Sequence, residues 1–577
     1  MIILGFNAFH GDASAAIFRD GELVAAVEEE RFTRVKHEAG FPSRAIRYCL
    51  ETAGVRPEEI DHVAIPRKRS AHLARKALWA ARMPSLALDR AKVWKKFGTV
   101  QDLLAAAVDV PAARLKAQYH YVEHHVAHAA SSFYASPFES ASVLSLDGLG
   151  DFASMLWGTG KGRDMSAEGF TLFPNSLGIF YTAITQYLGL WSYGDEYKVM
   201  GLAAYGEPKY KEMFDKLVRA HNDLTFSLDL RYFAHHKGGP EMSWPEGEPK
   251  IGKLFSAELE KALGPARVPR GPVEKHHQDV AATLQWRTEE VLFVLMNQLF
   301  KRTGNANLCY AGGVAFNCSA NGKIFDRTPF RDIYIQPAAG DAGLAIGASL
   351  YVYHQVLGQP RKVRMTHSYW GPEYGVDRME AALKAQTVSY KRLAMPSLID
   401  RTAQHIEAGK VVGWYQGRSE WGPRALGDRS IVADPRRPDM QDILNRRIKM
   451  RETFRPFAPS VLATRTGEWF EKDFPSPFML MTYPVREEKR AQIPAPTHVD
   501  GTGRLQTVTK DANPLYWDLI SAFDRLTGVP MVLNTSFNES EPIVNTPEEA
   551  VACFLRTKMD VLAMGPFMVE RNGAEEP

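Results

Sequence analysis

The sequence predicts an α/β protein built from a duplicated N-terminal part and a separate C-terminal α/β unit. Three observations predict it: a strand–turn–strand opening that occurs twice, helical and glycine-turn segments that follow the second copy, and a fresh helix–strand alternation from about residue 396. The first opening is the β-rich run Ile2–Phe6 with Gly11-Asp-Ala-Ser-Ala-Ala-Ile-Phe-Arg-Asp-Gly21 behind it. The second is Ser142–Leu146 with Gly150-Asp-Phe-Ala-Ser-Met-Leu-Trp-Gly-Thr-Gly160, and the two runs align without a gap. Each reads as strand, tight polar turn, strand, glycine turn. Their separation of about 140 residues predicts two related halves with a cleft between them. Such turns present backbone N–H groups to an anion.

The remaining elements follow in order. Between Arg67 and Lys96 stand ten Lys or Arg residues opposed only by Asp89, with Leu73, Ala77 and Leu78 on one helical face. This segment is expected to be a solvated helical face, or else a docking surface for an anionic group. His277–Arg302 lacks Gly and Pro and carries Val280, Leu284, Val291, Leu295 and Leu299 near helical spacing, which predicts a long helix. A buried strand is expected at Asn307–Ala311, a glycine turn at Gly312-Gly313, another at Gly340–Gly343, and a helix over Leu344–Tyr353. The main boundary is placed near residue 395: residues 1–357 as the first unit, 358–395 as a connector, 396–577 as the second unit. The latter starts with a helix over Leu398–Ala408 and a strand over Val411–Tyr415.

Composition excludes several classes. A net charge of +3 gives no electrostatic case for nucleic acid. Charged residues at 24% and apolar residues at 45% are ordinary for a globular enzyme. No apolar run approaches the ~20 residues of a membrane span, and no basic segment precedes Ile2–Phe6. Four scattered cysteines without a CxxC pair fit a reducing cytoplasm and argue against a zinc ribbon.

Two constellations carry chemistry. In Glu123-His-His-Val-Ala-His128, a helix would put His124 and His128 on one face, so that both imidazoles reach one ion. Asp147 at a strand end and Asp341 in a glycine turn supply carboxylates, and this thiolate-free set suits Fe(II), Mn(II) or Zn(II). In Gln416-Gly-Arg-Ser-Glu-Trp-Gly-Pro-Arg-Ala-Leu-Gly427, glycines permit close backbone approach to an anion. Arg418, Arg424 and, further on, Lys449 and Arg455 supply the cations.

Seven stretches occur together, in one order and nearly end to end: Gly5–Ser14, Glu28–His37, Glu123–Ala129, Tyr197–Gly206, Ala311–Asn317, Trp421–Gly427 and Asn534–Asn538. Through them the chain resembles the NodU/CmcH-type O-carbamoyltransferases. The resemblance implies a Kae1-like domain of the actin/hexokinase superfamily, with duplicated halves, followed by a YrdC-like α/β domain. It implies two steps: carbamoyl-adenylate is formed from carbamoyl phosphate and ATP with Mg(II), then the carbamoyl group passes to an acceptor hydroxyl and AMP leaves. By matching position, His124, His128, Asp147 and Asp341 correspond to an iron-type site. Asn7, Gly312, Gly313, Asn317 and Gly340 correspond to adenylate binding, and Arg504, Asn534 and Ser536 to the second nucleotide pocket. Arg424, Lys449 and Arg455 would clamp carbamoyl phosphate. His10, Asp12 and Lys198 line the transfer end. Relatives place histidine directly before the aspartate, whereas Gly11 intervenes here, which leaves the base open between His10 and Asp12. Family acceptors include aminoglycosides, cephems, polyketides and oligosaccharide signals, and a homodimer is the family expectation. A tRNA threonylcarbamoylation enzyme would benefit from a basic surface, and a hydrogenase-maturation carbamoyltransferase would carry CxxC pairs. A regulatory ATP-binding protein would lack carbamoyl-phosphate-dependent pyrophosphate release.

Overall fold

The computed structural model describes residues 1–82, 99–238, 242–452 and 454–571. Two compact units divide the chain, Met1–Met365 and Thr366–Pro577.

The first unit contains the same sheet twice. Strands β1 (Ile2–Asn7), β2 (Ser14–Arg19), β3 (Glu22–Glu28), β4 (His62–Ile65) and β5 (Gln118–Tyr121) form a sheet in the order β3-β2-β1-β4-β5. The hairpins β1–β2 and β2–β3 are antiparallel, whereas β4 and β5 join in parallel. Strands β6 (Ser140–Gly150), β7 (Ala153–Lys161), β8 (Asp164–Leu172), β9 (Asn307–Ala311) and β10 (Asp332–Ile335) repeat that order and those directions, β10-β9-β6-β7-β8. This is the duplicated architecture of two related halves that the two openings predicted. The glycine turn of the second copy sits at Gly162, φ +57°, two residues beyond the aligned Gly160, because β7 runs on to Lys161.

Three helices position the site. Helix α1 (His124–Phe133) begins at the Glu123 cap, whose carboxylate accepts from Val126 N at 2.8 Å. Helix α2 (Lys275–Thr303) spans 29 residues and ends at Gly304 in the left-handed region, φ +65°. It contains the whole predicted helix. Helix α3 (Leu344–Tyr351) packs on α1 and on β1, and Gly347 lets the Ala127 carbonyl approach where a Cβ would collide. The first-sheet core is Leu4, Phe6, Ile17, Val27, Ile46 and Val63 with their neighbours. The basic segment begins as a helix, Leu73–Arg82, in which Leu73 and Leu78 are exposed and Trp79 packs edge-on against Phe173. Residues 83–96 of that segment lie outside the described residues.

The second unit is a nine-stranded mixed sheet. Its strands are β11 (Lys391–Arg392), β12 (Val412–Tyr415), β13 (Arg429–Ala433), β14 (Ala458–Leu462), β15 (Met481–Pro484), β16 (Thr502–Val508), β17 (Met531–Ser536), β18 (Val561–Met564) and β19 (Phe567–Glu570), in the order β11-β19-β18-β12-β13-β17-β14-β16-β15. Helices Met395–Glu407 and Pro514–Thr527 pack together, as do Val376–Ala385 and Pro547–Arg556. Much of the segment expected to connect the units folds with the second one. Met379, Ala382 and Leu383, at helical spacing, enter its core, and β11 pairs with β19. Among the described residues no helix is long and apolar enough to cross a membrane.

Candidate functional site

The four metal-type residues converge. Helix α1 presents His124 and His128 one turn apart, β6 supplies Asp147, and the turn beyond β10 supplies Asp341. One donor atom from each lies within 4.8 Å of the other three. His124 Nε2 stands 3.4 Å from Asp147 Oδ2 and 3.6 Å from Asp341 Oδ1. His128 Nε2 stands 3.9 and 3.5 Å from the same two oxygens. Donors that share one ion at bonds of about 2.0–2.2 Å are separated by roughly 3–4.4 Å, so the spacing fits a metal. Both ring nitrogens of His128 and Asp341 Oδ1 are buried without a hydrogen-bond partner. Orphaned buried polar atoms are costly; His128 Nε2 and Asp341 Oδ1 stand 3.5 Å apart, and a cation between them would satisfy both. Gly313 N donates to the other oxygen of Asp147 at 2.6 Å and fixes that carboxylate. Burial opposes ionisation of Asp147, yet the two histidines hold its carboxyl well below the usual range. Burial likewise opposes protonation of His128, and the two carboxylates still raise it to about 9. Asp147 lies inside β6 rather than at its end, at a register break between Leu146 and Gly150.

The first turn resolves which way His10 and Asp12 face. Asn7 Nδ2 donates to the Gly11 and Asp12 carbonyls at 3.3 Å each and pins the turn. His10 Nδ1 is 3.6 Å from Asp341 Oδ2, its ring lies 5.6 Å from that of His124, and its Nε2 accepts from Arg67. Burial, then the Arg67 charge, lowers its pKa. Asp12, with φ +59°, turns the other way and accepts from His37 Nδ1 at 2.7 Å. His10 therefore borders the donor cluster and Asp12 does not. His37, whose backbone N–H is held by Glu30 at 2.8 Å, is a partner the sequence reading missed. Lys198 pairs with Asp195 at 2.8 Å. Gly312, φ +92°, runs so close to the Leu146 carbonyl that no side chain fits. Gly340 leads directly into Asp341. The Asn317 amide exchanges two hydrogen bonds with Gln285 and caps Ala320 N, so its side chain is engaged by the fold.

The second constellation is organised differently. Most of the loop Gln416–Gly427 is buried. Glu420 Oε1 accepts from the N–H groups of Leu426, Asp428 and Arg429 at 2.7, 2.9 and 3.2 Å, which folds the loop around one carboxylate. Burial, with the Glu420 charge next, raises the Asp428 carboxyl well above the usual range. Arg429 is fully buried, lies over the Tyr415 ring at 3.8 Å and donates to the carbonyls of Gln416, Gly417, Asp428 and Pro372. Arg418 donates to Gly371 and Trp370 carbonyls at 3.0 and 2.7 Å. Lys449 is buried as well: its ammonium donates to Ser536 O at 2.6 Å, Asn538 O at 2.8 Å and Asn538 Oδ1 at 2.6 Å, and burial depresses its pKa strongly. Asn534 and Ser536 belong to β17, with Asn534 paired across Val432 and Ala458 in the middle of the sheet. Asn534 Nδ2 donates to Ala425 O and Ser460 Oγ at 3.1 and 3.0 Å. Arg424, Arg455 and Arg504 are half-buried, and Arg455 pairs loosely with Glu452 at 3.8 Å.

The Carbamoyltransferase N-terminus family model matches residues 2–350 and the Carbamoyltransferase C-terminus model matches residues 403–571. The chain belongs to the carbamoyltransferase family. It is 41% identical to an uncharacterized protein of Synechocystis sp. across 99% of this chain and 97% of that one. It is 39% identical to nodulation protein NolNO of Sinorhizobium fredii, across 98% of this chain and 80% of that one. It is 41% identical to nodulation protein NolO of Bradyrhizobium diazoefficiens, across 78% and 79% respectively. This carbamoyltransferase is accordingly a group-transfer enzyme, and its donor cluster lies within the part matched by the N-terminal model.

Proposed function

We propose that this chain is an ATP-dependent O-carbamoyltransferase: the second, YrdC-like unit makes carbamoyl-adenylate from carbamoyl phosphate and ATP, and the first passes the carbamoyl group to a hydroxyl of a natural product or saccharide. The observation that carries the reading is the convergence of His124, His128, Asp147 and Asp341 with unsatisfied donor atoms, in a chain that matches both carbamoyltransferase models.

Carbamoyl phosphate first gives carbamate and phosphate by hydrolysis. A carbamate oxygen then attacks the α-phosphorus of ATP, pyrophosphate leaves with Mg(II), and carbamoyl-adenylate remains. Arg424 and Arg455 hold the phosphate charges as they redistribute, and Arg504, Asn534 and Ser536 line the nucleotide. Lys449 commits its three N–H donors to Ser536 and Asn538, so it must release one of them to contact carbamoyl phosphate directly. In the first unit the acceptor oxygen attacks the carbamoyl carbon, the carbamoyl–phosphate C–O bond breaks and AMP leaves. The acceptor proton goes to His10, whose Nε2 lone pair becomes accessible once Arg67 is displaced. Asp12 holds His37, and Lys198 balances charge at the same end. Asn7, Gly312, Gly313, Asn317 and Gly340 shape the adenylate cradle. His124, His128, Asp147 and Asp341 would hold Fe(II), with Mn(II) and Zn(II) in the same donor class. When bound, the ion supplies Lewis acidity toward the adenylate phosphate. A cytoplasmic homodimer completes the reading.

The test is carbamoyl-phosphate-dependent pyrophosphate release from ATP by the full-length protein with Mg(II) and Fe(II). Release that requires carbamoyl phosphate supports adenylate formation; none removes it.

A further inference from the structure

Tyr193 lies in a turn of the first unit, a few residues beyond the helix Leu177–Tyr187. The turn is braced from inside: Asp195 Oδ2 accepts from Ser192 N at 3.2 Å, Asp195 N donates to Ser192 O at 3.1 Å, and Asp195 Oδ1 pairs with Lys198. Gly194, φ +83°, passes so close to His37 that a Cβ there would stand 2.8 Å from Nε2. The Tyr193 ring lies edge-on to His37 at 5.3 Å between centroids. Its Cζ and Oη crowd Gly11, where a Cβ would come within 2.6 Å of both. Gly11 separates His10, which borders the donor cluster, from Asp12, which holds His37. The phenol therefore abuts the first turn between those two residues. Among the described residues its hydroxyl has no hydrogen-bond partner. Burial, then the charges of Asp341 and Asp12, raises its pKa well above the usual tyrosine range, so it is a neutral O–H donor.

We propose that Tyr193 is a catalytic residue of the transfer step, its hydroxyl donating a hydrogen bond to the carbonyl oxygen of the carbamoyl group. The inference rests on the carbamoyl-transfer reading above and adds to it a role that its other residues leave open. When the acceptor oxygen attacks the carbamoyl carbon, the C=O electron pair moves onto the carbonyl oxygen. It returns as the C–O bond to phosphate breaks, AMP leaves and the acceptor proton passes to His10. The transient oxyanion needs a preorganised donor. His10 is occupied with the proton, and the donor cluster with the ion and the phosphate. Asp12 and Asp341 carry negative charge, which would oppose an oxyanion beside them. Tyr193 offers a hydroxyl beside the same turn, on a ring fixed by Gly11 and His37, and it keeps its proton throughout.

The experiment uses the full-length enzyme with Fe(II) and compares the wild type with Tyr193→Phe, which removes the hydroxyl and keeps the ring against Gly11 and His37. Gly11→Ala is the second variant: its backbone lies outside the left-handed region, and the added methyl pushes the phenol off the turn. Calorimetry measures two ligands, AMP and a stable mimic of carbamoyl-adenylate, 5′-O-(N-carbamoylsulfamoyl)adenosine. Tyr193→Phe is expected to raise the Kd of the mimic about fivefold and to leave that of AMP within about twofold, since only the mimic has the carbonyl. AMP formation from carbamoyl phosphate, ATP and Mg(II), with water as the acceptor, is expected to fall about a hundredfold in both variants. An unchanged rate of AMP formation, or an equal weakening of AMP and the mimic, overturns the proposal. Where water is too poor an acceptor for a measurable rate, the two Kd values decide alone, and an unchanged ratio overturns it. Pyrophosphate release by the wild type is scored separately: its absence sinks the two-step reading, while calorimetry still decides Tyr193.

Discussion

The donor cluster of the first unit and the basic loop of the second are both buried and highly polar, yet they are satisfied in opposite ways. Around Asp147 and Asp341 the protein leaves both ring nitrogens of His128 and one Asp341 oxygen without partners. Around Glu420, by contrast, one carboxylate oxygen takes three backbone N–H groups, Arg429 is bound to four carbonyls, and Lys449 spends its donors on Ser536 and Asn538. The first arrangement leaves buried donor atoms that a cation would satisfy. The second is a scaffold in which several conspicuous cations hold the loop in shape, and under the proposed function ligand binding falls to the half-buried Arg424 and Arg455. A cluster of charges is therefore not one kind of object: what the fold leaves unsatisfied distinguishes a ligand site from a brace.

The comparison breaks most readily at His128. His128→Ala is expected to remove bound metal and to lower carbamoyl transfer by roughly a thousandfold, as several kcal/mol of Lewis-acid stabilisation would. Elemental analysis by mass spectrometry checks the first part, and stoichiometric metal in the variant would contradict the ligand set. In the brace, Glu420→Ala strands three buried N–H groups and should cost about 3 kcal/mol of stability in urea unfolding, with Glu420→Gln recovering much of it. Equal losses in both variants would mean that the carboxylate does not organise the loop. Arg455→Ala should lower pyrophosphate release by about a hundredfold while stability changes by less than about 1 kcal/mol, because Arg455 is half-buried and its ion pair with Glu452 is loose at 3.8 Å. A large stability loss instead would move Arg455 from ligand to brace.

The smallest effect concerns a buried histidine with an ordinary partner. Burial lowers His235 from 6.5 to about 4, and its Nε2 donates to the Pro174 carbonyl at 2.8 Å. A lowered imidazole pKa means that the unfolded chain takes up the proton first. Its contribution is complete above pH 6.5 and is lost as pH falls toward 4. The loss is on the order of 2 kcal/mol. His235→Gln should flatten the acid limb of a stability–pH profile, and an unchanged limb would show that His235 does not carry it.

The open cluster was legible in the sequence because its geometry is local in part. His124 and His128 are one helical turn apart, and Asp147 and Asp341 each sit beside a glycine, Gly148 and Gly340. The duplicated opening was legible too, since each hairpin ends on a left-handed glycine, Gly21 and Gly162, although the second lies two residues beyond the aligned Gly160. The brace was not legible. A carboxylate that accepts backbone N–H groups has no sequence signature, and Arg429 looks like any exposed arginine until Tyr415 and four carbonyls surround it. Residues 376–385 read as a connector because Met379, Ala382 and Leu383 make a short apolar stripe, which marks a core helix only once the sheet beneath it is known.

The separation of the two sites is tested most directly by pyrophosphate release in the His128→Ala variant, with carbamoyl phosphate, ATP and Mg(II). The account predicts release near the wild-type rate together with loss of the carbamoylated product. Loss of both activities in a folded variant would contradict it.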